Sequence, residues 1–174
     1  MKFIFLLFAY LFVLLGNKTG EATKGLLSKR ALAGDHQFPW HASIMSCTRQ
    51  ACQFCGGSLI STRHVLTAAH CTKQSSQFEI SLGSNYYFQP TLKVKANQKI
   101  QHPDHDPSVW GNDIAIIILP NDVPLSNNIQ TIELASDNTG DLERISAQLT
   151  GFGRTNISKY CLWNYPMYCH NNFF

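Results

Sequence analysis

From Trp40 onward the chain breaks into short runs rich in β-branched and aromatic residues, and turn chemistry separates most of them. The runs are His41 to Met45, Gly57 to Ile60, His64 to Ala68, Phe78 to Leu82, Leu92 to Ala96 and Ile114 to Leu119. Each has the length of a strand and falls short of a helix. Between them stand Gly83-Ser84-Asn85, His102-Pro103-Asp104, Gly111-Asn112-Asp113 and Leu119-Pro120-Asn121-Asp122, which supply Gly, Pro, Asn and Asp where a backbone reverses. No helical period persists beyond a turn or two, with a weak exception around Cys71. The pattern predicts an all-β barrel or sandwich. Residues 121–143 read as polar loop, and Ala147 to Arg154 as one more strand.

The chain begins differently. After Met1 and Lys2, an unbroken apolar run of 13 residues, Phe3 to Leu15, is too short for a bilayer that needs roughly 20. It reads as an export signal, residues 1–22, with cleavage after Ala22 or nearer Gly16. Residues 23–36 then read as a propeptide or N-terminal arm. Six Cys behind such a leader imply an oxidising compartment and disulfides, hence a secreted, extracellular protein. Fourteen Lys plus Arg against 11 Asp plus Glu give a net charge of only +3, with no basic run to engage nucleic acid. No later apolar run is long enough for a membrane helix, so no membrane contact is expected of the mature chain.

Residues 156–174 differ in kind. Tyr160 to Phe174 holds six aromatics, two Cys and three Asn in 15 residues, without alternation or turn rhythm. It reads as an alternative ending foreign to the preceding domain; the other reading is a genuine aromatic tail held by Cys161 and Cys169.

The chemistry-bearing motifs lie between these ends. Thr67-Ala68-Ala69-His70-Cys71 follows Cys55-Gly56-Gly57-Ser58-Leu59-Ile60 and precedes Asn112-Asp113-Ile114-Ala115, with Asp113 43 residues after His70. Gln37-Phe38-Pro39-Trp40 stands before them and Gly151-Phe152-Gly153-Arg154-Thr155 after. These five segments, in this order, resemble the trypsin/chymotrypsin-like serine protease family over residues 37–155. The resemblance implies the first antiparallel β-barrel of the chymotrypsin-like double-barrel fold plus one strand of the second. It also implies peptide-bond hydrolysis, with His70 as general base and Asp113 as the carboxylate that orients it. By the same resemblance Cys55 pairs with Cys71, which leaves Cys47 and Cys52 close enough to close a small hairpin.

Such a site also needs a serine and amide donors for the oxyanion. No Gly-Asp-Ser-Gly-Gly occurs, and the serines after Asp113, namely Ser126, Ser136, Ser146 and Ser158, have no flanking glycines that would form the required turn. Ser58 follows two glycines, but the family places barrel backbone there. The expectation is therefore a truncated family member that is inactive by itself. The alternative is a secreted non-catalytic homologue that binds through its barrel face; a third reading is completion by another chain carrying the second barrel.

Other features carry less. Lys29-Arg30 resembles a tryptic activation site in a poor register, or is a solvated charge pair. Cys52-Gln53-Phe54-Cys55 lacks the βαβ context or second ligand pair that a redox or zinc role requires. His102-Pro103-Asp104-His105-Asp106 could attract a divalent metal but reads better as turn chemistry, so no metal and no cofactor are expected. Asn156-Ile157-Ser158 and Asn17-Lys18-Thr19 are glycosylation sequons. The expected partners are a protein or peptide substrate, if a serine-bearing half completes the site, and a second copy through the exposed barrel face.

Overall fold

A computed structural model describes residues 33–48, 51–135 and 150–152. Seven strands form one antiparallel sheet: β1 (His41–Cys47), β2 (Cys52–Ser61), β3 (His64–Thr67), β4 (Phe78–Leu82), β5 (Leu92–Ala96), β6 (Gln98–Gln101) and β7 (Ala115–Ile118). Their order across the sheet is β5-β4-β1-β2-β3-β7-β6. A single residue, Asn97, separates β5 from β6, so one stretch of chain pairs with β4 by its first half and with β7 by its second. That stretch closes the sheet on itself as a barrel, the all-β antiparallel class expected from the sequence.

Alternation decides which side chains go inside. Ala42 and Ile44 of β1, Leu59 of β2, Val65 of β3, Phe78, Ile80 and Leu82 of β4, and Ile117 of β7 are buried together, and Leu119, Val123 and Ile129 plug one end. Removing such side chains from water at about 25 cal/mol per Å2 is the main force holding the barrel shut. Gly57 belongs to the same packing. A Cβ there would lie 2.7 Å from the Leu66 carbonyl oxygen and 2.9 Å from both Ile44 Cδ1 and Val65 Cγ1. The glycine thus lets β2 pass within contact of β3.

Two elements differ from the sequence reading. β2 begins at Cys52 rather than Gly57, because its full first half pairs with β1 from Cys47↔Cys52 onward. The strand β6 has no counterpart in the expected set. Its Gln-Lys-Ile-Gln pattern is inverted, with Ile100 57% exposed while Lys99 and Gln101 turn toward the loop after β3. Residues 150–152 carry no strand, and most of the segment from Ala147 to Arg154 lies outside the described residues, as do the leader, most of the N-terminal arm and the tail from residue 156.

Replacing Gly57 by Ala is expected to lower unfolding free energy by about 1–3 kcal/mol, through overpacking against a backbone oxygen that cannot yield. Urea denaturation measures it; an unchanged midpoint would contradict the close approach.

Candidate active site

The site grows from two neighbouring strands. β3 pairs with β7, Thr67 opposite Ala115, so the segment leaving β3 and the segment entering β7 emerge side by side. After β3 the chain makes a short 3-10 turn, Ala69–Cys71, with His70 in its middle. The Cys55–Cys71 disulfide ties this turn to β2. Thr67 Oγ1 donates to the Gly56 carbonyl at 2.9 Å, and Thr72 Oγ1 donates back to Ala69 O at 3.0 Å.

Support also comes from β6. The Gln101 amide donates to Ala69 O at 3.1 Å and to Thr72 Oγ1 at 2.8 Å. The Lys99 ammonium donates to the carbonyls of Thr72 and, at 3.0 Å, of Ser75. Its partial burial favours the neutral amine and lowers its pKa. The inverted pattern of β6 has its reason here, since its inward polar side chains donate to carbonyls in and after the turn, those of Ala69, Thr72 and Ser75.

Asp113 stands just before β7, and its side chain is fully buried. Its Oδ1 accepts the backbone N–H of His70 at 2.7 Å, and its Oδ2 lies 2.6 Å from His70 Nδ1. A carboxylate can only accept, so Nδ1 carries the proton and Nε2 presents a lone pair. Asn112 holds the approach in a left-handed conformation, φ 53°, with its amide donating to Asp104 O at 3.0 Å. His105, only 7% exposed, donates from Nδ1 to Gly111 O at 3.1 Å and lies 4.0 Å from Asp113 Oδ1. Trp110 sets its ring edgewise to the His70 imidazole, centroids 5.7 Å apart, at a φ of 56° that a bulky residue rarely adopts.

The residues singled out from sequence are distributed as follows. His70 and Asp113 are brought together. Cys55 is bonded to Cys71, and Cys47 to Cys52. Ser58 is buried in β2, Ser126 lies in a turn bridged to Ile129, and Ser136, Ser146 and Ser158 fall outside the described residues. Among the described residues no serine hydroxyl bonds to His70. The His102 to Asp106 segment is turn chemistry: His102 Nδ1 accepts the Asp104 amide, and Asp106 Oδ1 accepts from the Ser108 amide and hydroxyl, which hold its carboxyl below the ordinary range.

The chain that carries this arrangement is similar to known proteins. The family model described as Trypsin matches residues 30–169. The chain belongs to the trypsin family. Trypsin beta of Drosophila erecta is 32% identical over 159 residues, covering 88% of this chain and 60% of that protein. Collagenase of Hypoderma lineatum is 33% identical over 128 residues, covering 72% and 49% respectively. A solved HL collagenase superposes with a TM-score of 0.58 at 34% identity, over 60% of this chain and 46% of that one. The chain therefore spans about half to three fifths of the length of these trypsin-family relatives.

Several residues around the trypsin-type pair carry no signal in the sequence. Lys99 and Gln101 belong to no motif and gain a role only from their place on β6, while His105, singled out only within the His102 to Asp106 segment, gains its role from the 102–113 loop. His41 is the other case. Its imidazole lies among Thr150, whose Oγ1 is 3.1 Å from Nδ1, and Phe152, whose ring is 5.4 Å away, at the wall of a cavity of about 260 Å3. Burial favours the neutral ring and lowers its pKa from 6.5 to about 4.

Two measurements follow. Between those two values the unfolded chain binds the His41 proton and the folded chain does not, so stability is fully present above pH 6.5 and is lost as pH falls toward 4. Substituting His41→Gln is expected to flatten the fall in urea midpoint across that window; an unchanged slope would refute it. Replacing Lys99 by Met removes the ammonium that the carbonyls of Thr72, Lys73 and Ser75 accept from and is expected to cost about 1–3 kcal/mol of unfolding free energy by the same assay.

Proposed function

We propose that this chain supplies the histidine–aspartate half of a secreted trypsin-like serine endopeptidase site. The observation that carries this reading is the grip of one buried carboxylate on both donors of His70. In the reaction, His70 Nε2 takes the proton of an attacking serine and returns it to the leaving amine. Asp113 holds the productive tautomer and stabilises the imidazolium that forms. Trp110, 52% exposed beside the imidazole, walls the approach for a peptide. The apolar leader and the two disulfides support export to an oxidising compartment.

The 174 residues contain no Gly-Asp-Ser-Gly-Gly, and no serine after Asp113 is flanked by glycines. The polypeptide by itself is therefore proposed to be without hydrolytic activity, and a serine-bearing second barrel completes the site. A non-catalytic binding role draws on a separate observation. Tyr87 makes edge-on ring contacts with Phe54, Phe88 and Phe152 at centroid distances of 5.0–6.0 Å, with Phe54 and Phe88 exposed. A protein partner would bury that cluster.

The test joins residues 33–152 to the serine-bearing barrel of a relative. The chimera is expected to cleave peptides and to react with a fluorophosphonate. His70→Ala should lower turnover by about a millionfold and Asp113→Asn by about ten-thousandfold. The 174-residue chain alone should show neither labelling nor cleavage. Stoichiometric labelling of that chain, or a chimera indifferent to His70→Ala, would overturn the assignment.

A further inference from the structure

The tautomer that Asp113 enforces leaves His70 Nε2 without a proton, 3.3 Å from the Cys71 sulfur. Cys55 Sγ completes a set of three potential ligand atoms that all lie within 4.8 Å of one another. In the disulfide neither sulfur is a thiolate, and the set binds nothing. The backbones that carry the sulfurs are nevertheless held by other bonds. Cys55 is registered against Ile44 in the β1–β2 ladder, and the Cys71 amide donates to Ala68 O at 3.2 Å. Their Cα atoms are 6.1 Å apart, and side-chain rotation alone can separate the sulfurs.

We infer that reduction of Cys55–Cys71 converts the histidine turn into a site for a thiophilic divalent cation of the zinc type, bound by two thiolates and the His70 imidazole. A phosphine with water, ending as the phosphine oxide, or a dithiol, ending as its disulfide, supplies two electrons and two protons and breaks the S–S bond, giving two thiols. Each thiol releases its proton to solvent as its sulfur–metal bond forms. Tetrahedral zinc, with bonds of about 2.3 Å to sulfur and about 2.0 Å to nitrogen, sets N···S near about 3.5 Å and S···S near about 3.8 Å. The first of these is close to the separation already present. Asp113 accepts from the far nitrogen of the ligating ring, the carboxylate–histidine–metal arrangement that fixes the tautomer and raises ligand basicity. The Gln53 amide approaches Cys55 Sγ at 3.7 Å and offers a donor to the thiolate. With the His70 side chain 34% exposed, water can take the fourth position. Metal and proton compete for one lone pair, so the loaded state removes the base on which the proposed hydrolysis depends. The metal site itself does not require a serine.

The experiment uses the full 174-residue chain carrying Cys47→Ser, Cys52→Ser, Cys161→Ser and Cys169→Ser, reduced with a phosphine under argon and titrated with Co2+. One equivalent is expected to produce thiolate-to-cobalt charge-transfer bands and the visible bands of tetrahedral cobalt, both abolished by excess Zn2+ and absent from the oxidised chain. Asp113→Asn should weaken binding about tenfold to a hundredfold, and His70→Ala by at least as much with an altered visible spectrum. Should the serine variant not fold, Zn2+ is added to the reduced wild-type chain and alkylation is mapped by mass spectrometry; Cys55 and Cys71 are expected to be protected in the chain with His70 and not in His70→Ala. No cobalt spectrum from the folded reduced chain, the same affinity and spectrum without His70, or equal alkylation with and without Zn2+ would each overturn the proposal.

Discussion

The site depends on one buried carboxylate. Asp113 is withdrawn from water, and an isolated charge in that position would cost several kcal/mol. Two donors from one residue, the amide and the Nδ1 of His70, offset this. Both bonds require the turn after β3 and the turn before β7 to lie against each other, and the β3–β7 ladder puts them there. His105 stands by with a third polar contact at longer range. The carboxylate thus selects the ring's tautomer and, through the backbone amide, the position of the turn that bears the ring.

That turn is held from three directions. The Cys55–Cys71 bond reaches it from β2, Gln101 and Lys99 from β6, and Thr67 from the end of β3. Each contact satisfies or constrains a different group, so the imidazole sits on a rigid support even though the turn is only three residues long. Trp110 is the exception to this economy. Its left-handed backbone stores strain, and the ring held at that cost stands edgewise to the His70 imidazole.

Much of this was legible in the residues, and for identifiable reasons. The strands β4 and β5 match the expected ranges to the residue, because their alternation is clean and turn residues bound them. His70 and Asp113, which the structure brings together, stood out because each lies inside a motif whose neighbours are as characteristic as the residue itself. β6 was missed because its one strong apolar residue, Ile100, points outward, and the two residues that matter look like surface polar positions. The first half of β2 was missed because Gly56 lowers strand propensity at its end, while the pairing with β1 carries the strand through it. His41 had no signal, since its meaning comes from Thr150 and Phe152 more than a hundred residues away in the chain.

The joining of β5 to β6 through Asn97 has a consequence for how the site can come into being. The strand that closes the barrel also delivers Lys99 and Gln101, and side chains alternate at every residue. A slip of one position at Asn97 would therefore send Ile100 toward the histidine turn and turn both polar groups out to solvent. Correct closure and a correctly seated imidazole are one event. A chain with a misregistered β6 loses the Lys99 and Gln101 contacts that support the histidine turn, so the seating of the imidazole reports on the closure of the whole barrel.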